Sequence, residues 1–102
     1  MPRCIVKQPN DRYAIWSSVV DDFVLVDASA EEAIVEELNS PVNATYPGGK
    51  DALRAALCRE FENVASDGRA WKWGPTWDEA IKIIRELHGE EVAVQRELDA
   101  LS

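Results

Sequence analysis

Two short runs near the start of the chain, "RYAIWS" (12–17) and "FVLVD" (23–27), carry apolar side chains on both sides of the backbone. Successive residues of an extended run point to opposite faces. Tyr13 and Ile15 therefore face one way and Ala14 and Trp16 the other, while Phe23 and Leu25 oppose Val24 and Val26. A sheet made of such strands must be covered on both faces. The chain has 102 residues, enough for one domain with one modest core. Cover is scarce at that length, and a partner subunit is one way of supplying part of it.

The remaining runs fall into an order. "CIVK" (4–7) reads as a first strand, and "QPND" (8–11) as a turn with Pro9 fixing φ at its first inner position. "SVVDD" (18–22) holds two adjacent carboxylates and reads as an exposed connection into the third strand. "SAEE" (29–32) is a capping box that opens a helix over Ala30–Leu38, with Ala30, Ile34 and Leu38 on one stripe. "NSPVNATYPGG" (39–49) is a loop. A helix from about Lys50 to Ala65 places Leu53, Leu57, Phe61 and Val64 on one face, and Gly68 supplies its left-handed cap.

"TWDE" (76–79) repeats the capping box and opens a helix striped by Trp77, Ile81, Ile84 and His88. Gly89 ends or bends that helix, and a last stretch over Glu90–Leu101 carries Val94, Leu98 and Leu101. The expected fold is α+β in a single domain spanning 1–102. A three-stranded antiparallel meander fills 1–28, and three or four helices fill most of 29–102.

Charge narrows the partners. The net charge is −8 but is unevenly placed: residues 1–13 are net +2, and residues 14–49 are net −7 with no Lys or Arg. A field of that sign repels phosphate, which argues against direct nucleic-acid binding and for a basic surface on another protein. The candidate contact residues are Asp21, Asp22, Asp27, Glu31, Glu32, Glu36 and Glu37. Glu32 and Glu36 stand one helical turn apart, a like-charge spacing that costs on the order of 0.3 kcal/mol. Such a cost suits either a solvated face or a functional one.

Catalytic patterns are missing from the sequence. It contains no G-x-S-x-G, P-loop, dinucleotide-binding glycine pattern or HExxH. His88 is the only histidine and lies on an apolar stripe, as core or rim histidines do. Asp21 and Asp22 are adjacent and point to opposite sides if extended, which is poor geometry for an acid–base pair or a metal. "YPGGKDAL" lacks the spacing of a phosphate loop and reads as a loop-to-helix turn. No cofactor is expected. Cys4 and Cys58 stand in unrelated contexts and read as reduced, half-buried thiols. The apolar runs fall short of the roughly 20 residues of a membrane helix. The opening "MPRCIVKQPN" has no signal-peptide core, so the expected location is cytoplasmic with no membrane role.

"GRAWKWGPTWDEA" (68–80) holds three of the four tryptophans. Trp77 belongs to a helical stripe and is assigned to the core. Trp71 and Trp73 precede the break at "GP" and either cap the core or stand at the surface as binding hot spots.

Two resemblances rest on the first third of the chain. Strand, turn, strand, strand and then "ASAEEAIVEEL" (28–38) is similar in architecture, over residues 3–39, to HicB-type antitoxin domains, whose helix after the third strand commonly opens in this way. The chain lacks that family's proline–glycine–cysteine loop. "KQPNDRYAIWSSVVDDFVLVDASAEEA" (7–33) resembles N-terminal segments of small phage- and prophage-encoded proteins. That resemblance implies a compact inhibitor that binds a host protein, including nucleic-acid-handling or defence machinery.

The expected function is a non-enzymatic protein–protein interaction module acting through its acidic face. The alternatives are a small-ligand binder using Trp71 and Trp73 with Lys72 or Lys50, and a homodimeric accessory or antitoxin-like protein.

Overall fold

The computed structural model describes residues 3–101. Strands β1 (Arg3–Lys7), β2 (Tyr13–Ser17) and β3 (Asp22–Ala28) form an antiparallel meander in the order β1-β2-β3. Helices α1 (Ala30–Asn39), α2 (Gly49–Asp67), α3 (Trp77–His88) and α4 (Glu90–Asp99) follow. The fold is α+β, as the run order predicts.

The cover that the strand pattern demands comes from helices of the same chain. Ile5, Val6, Ala14 and Ile15 are fully buried, consecutive neighbours on opposite faces of the sheet. On one face Tyr13 meets Phe61 of α2 edge-on at 4.9 Å between ring centroids. On the other, Trp16 packs edge-on against Phe23, and Phe23 stacks on Trp77 of α3 at 4.8 Å. Helix α1 packs on α2 and α4 on α3, so one hydrophobic cluster links the sheet to all four helices.

Strand β3 departs from the simple pattern. It starts at Asp22, inside the stretch expected to be a connection, and its seven residues oppose the five of β2. Two register shifts absorb the excess, with Tyr13 opposite Ala28, Ile15 opposite Leu25 and Trp16 opposite Phe23. Asp27 takes left-handed backbone at the shift between Leu25 and Ala28, with φ of 56°. Bulges of this kind twist an open sheet edge.

A buried glutamine ties the bulge to the far end of the chain. Gln8 Oε1 accepts from the Asp27 N–H at 2.6 Å, while Gln8 Nε2 and Asn10 Nδ2 donate to the Ala100 carbonyl at 3.3 and 2.7 Å. The end of α4 thereby gains partners for a carbonyl that the helix itself leaves free.

Both capping boxes form. Ser29 and Thr76 accept from the N–H groups of Glu32 and Glu79, whose side chains accept from the cap N–H groups in return. Helix α2 is longer at both ends than its apolar stripe suggested, and the loop before it contains a short 3-10 turn, Pro41–Asn43. Gly89 separates α3 from α4 at φ 105° and ψ 164°, a backbone geometry costly for a residue with a Cβ. His88 leaves the apolar stripe there: it is exposed, and its Nε2 lies 3.0 and 3.1 Å from the carbonyls of Val20 and Asp21.

Candidate functional site

The seven carboxylates between 21 and 37 do different jobs. Asp21 occupies left-handed backbone, φ 52°, in the turn into β3. Aspartate tolerates that region better than most residues because its short side chain bonds locally. Asp22 is gripped by Arg96 of α4 through bonds of 2.9 and 2.8 Å and accepts from the Phe23 N–H at 2.7 Å. Burial alone pushes that carboxyl up, but Arg96 and the Phe23 N–H outweigh it and hold Asp22 below the usual carboxylate range. Asp27 pairs with Arg12 at 2.9 Å from the bulge.

Glu37 faces inward. It is 2% exposed, lies 3.3 Å from Arg3 Nη1 and accepts from Asn43 Nδ2 at 2.9 Å. Asp22 and Glu37, two of the expected partner contacts, are thus engaged within the fold instead. Glu37 follows Ala33 by four residues on the buried side of α1, and a carboxylate there requires a cation and a donor.

What remains outside is a compact patch. Glu31, Glu32 and Glu36 are exposed on α1. The spacing of α1 sets Glu31 with Val35 and Glu32 with Glu36 in neighbouring rows. Glu32 serves the capping box, whose Ser29 N–H lowers its carboxyl below the usual range, and lies 3.4 Å from Arg12. Among the described residues Glu31 and Glu36 have no ion-pair partner. Val35, 44% exposed, stands among them, and Val42 of the 3-10 turn is 64% exposed.

The tryptophans separate. Trp77 is core. Residues 69–74 form bends leading into a turn, closed by the Gly74 N–H on the Trp71 carbonyl at 2.9 Å. Trp71 is half-buried, whereas Trp73 is 76% exposed with Lys72 Nζ 5.0 Å from its ring centre. The two side chains lack the common face that an extended segment would have given them.

One carboxyl escaped the sequence reading. Glu60 of α2 is 8% exposed, and its Oε1 accepts from the Ile5 N–H of β1 at 3.2 Å. Burial pushes it up to about 7, with the Ile5 N–H pulling it back and Glu37 adding to the rise. Burial, reinforced by Glu60 and Glu37, pushes the neighbouring Cys4 thiol up to about 12, while Cys58 is an exposed free thiol. The signal for Glu60 was present: Leu53, Leu57, Glu60 and Val64, all buried, follow a spacing of four, three and four.

Among the described residues no group of three or more His, Cys, Asp or Glu is placed to hold a metal ion, and no helix is long and apolar enough to cross a membrane. Comparison with known protein families, curated proteins and solved structures returns no match to this chain.

Proposed function

We propose that the protein is a non-enzymatic interaction module that docks the outer face of α1 against a basic surface of another protein. The supporting observation is that among the described residues Glu31 and Glu36, unlike Asp22, Asp27 and Glu37, have no cation partner, and they flank the exposed Val35. Rim carboxylates raise the association rate with a positive partner, and an apolar residue among them supplies area to desolvate. The resemblance of residues 7–33 to phage-encoded proteins makes a basic host protein the natural partner and inhibition the natural outcome.

The test compares charge reversal on this face with equal reversal elsewhere. Glu31→Lys/Glu36→Lys and the control Glu62→Lys/Glu86→Lys alter exposed residues and change net charge equally. A partner captured from bacterial lysate at roughly 50 mM salt and released at roughly 500 mM should be lost by the first variant and kept by the control. Equal losses from both variants reduce the effect to net charge and overturn the reading.

A further inference from the structure

Helix α2 and the segment that follows it border an open cleft of about 290 Å3, lined by Ala56, Arg59, Glu60, Asn63, Ala70 and Trp71. The first four repeat at three- and four-residue intervals and so share one helix face. The opposite wall is pinned by hydrogen bonds. Asn63 Nδ2 donates to the Ala70 carbonyl at 2.8 Å, the Gly74 N–H closes the turn on Trp71, and Arg69 Nη1 donates to the Gly74 carbonyl at 3.1 Å. Arg69 also pairs with Glu79 of α3 at 2.9 Å. A wall fixed in this way loses little freedom when a ligand enters.

The chemistry of the lining is one-sided. Glu60 contributes a carboxyl from a side chain more than nine-tenths buried. Asn63 uses its amino group on Ala70, leaving its Oδ1 without a partner among the described residues. Trp71 contributes a half-buried indole. The single cation of the lining is Arg59, which is exposed and so belongs to the rim. A carboxyl, an amide oxygen and an indole together favour a flat group rich in donors and positively charged. A guanidinium matches a carboxylate with two parallel hydrogen bonds and stacks on an aromatic face, which an ammonium does less well.

We propose that this cleft is a binding site for a small guanidinium compound, its cation set between Glu60 and Trp71 and an anionic group at its other end meeting Arg59. Glu60 has two calls on it, the Ile5 N–H and the ligand, and a carboxylate has lone pairs for both.

Titration calorimetry at pH 8 tests this with three probes: arginine, agmatine, which lacks the carboxylate, and citrulline, the uncharged isostere of arginine. Arginine should bind saturably, agmatine several-fold more weakly, and citrulline roughly tenfold or more weakly. Glu60→Gln should weaken arginine roughly tenfold or more while keeping the far-ultraviolet circular dichroism of the wild type. Arg59→Glu changes an exposed position and should make agmatine the better ligand of the two. Equal binding of arginine and citrulline, an unchanged affinity in folded Glu60→Gln, an unchanged arginine-to-agmatine preference in Arg59→Glu, or no saturable heat up to roughly 10 mM arginine overturns the proposal.

Discussion

A single carboxyl shows how burial becomes pH dependence. Glu60 titrates at about 7 in the folded chain against a reference of 4.5, so the folded state holds this proton more tightly than the unfolded one. Its contribution is fully present below about 4.5 and is lost as pH rises through about 7, an effect on the order of 3 kcal/mol. Asp22 works in the opposite sense. Its lowered carboxyl stabilises the fold above the ordinary aspartate range, and that gain disappears as pH falls through its folded value. Glu60→Gln removes the ionisation and keeps an oxygen for the Ile5 N–H. Thermal melts should show the variant close to wild type at pH 5 and clearly more stable at pH 8. Equal shifts at both pH values would mean that Glu60 does not titrate between them. The position of Glu60 was legible, since an acid in an apolar stripe is a buried acid. Asp22 was not legible, because its partner Arg96 lies 74 residues away and no local spacing announces it.

Legibility at the scale of elements follows how local the determinant is. Both capping boxes are four-residue patterns whose atoms bond to one another, and both form as read, while the choice between an end and a bend at Gly89 falls to an end. The bulges of β3 depend instead on two extra residues relative to β2, a count that appears only once the strands are paired. The turn at 69–74 depends on Arg69 reaching both the Gly74 carbonyl and Glu79, so "RAWKW" alone did not reveal it. Local determinants also give the cleanest test. Ser29→Ala and Thr76→Ala each remove the hydroxyl acceptor from a helix start and keep the cap N–H that donates to the reciprocal glutamate. Each should lower the unfolding free energy by about 1 kcal/mol in urea titrations, with an unchanged slope against urea. A loss below about 0.3 kcal/mol would show that water replaces the cap at no cost.

On the scale of the whole molecule, the charge asymmetry along the chain is partly answered within it. Arginines of the basic opening segment reach into the acidic segment that follows, Arg3 to Glu37 and Arg12 to Asp27 and Glu32, and Arg96 returns from α4 to Asp22. Among the described residues Asp21, Glu31 and Glu36 of that acidic segment keep no ion pair, and an apolar stripe also stays exposed. Val94 and Leu98 of α4 and Leu101 in the turn after it are exposed, although their spacing of four and three is that of a buried face. The core is elsewhere: Leu57 is 1% exposed between α2 and the sheet, whereas Leu98 is 56% exposed. Leu57→Ala should therefore cost about 2–5 kcal/mol, the usual range for opening a core cavity. Leu98→Gln should stay within about 0.5 kcal/mol if the stripe faces water in the isolated chain. A stripe covered by a second copy behaves differently, because association stabilises the folded state by mass action. In that case the wild-type melting temperature rises with protein concentration and Leu98→Gln removes the rise. Melts across a hundredfold concentration range separate the two: a flat wild-type profile with a silent Leu98→Gln assigns the stripe to solvent, and a slope abolished by the substitution assigns it to an interface between copies.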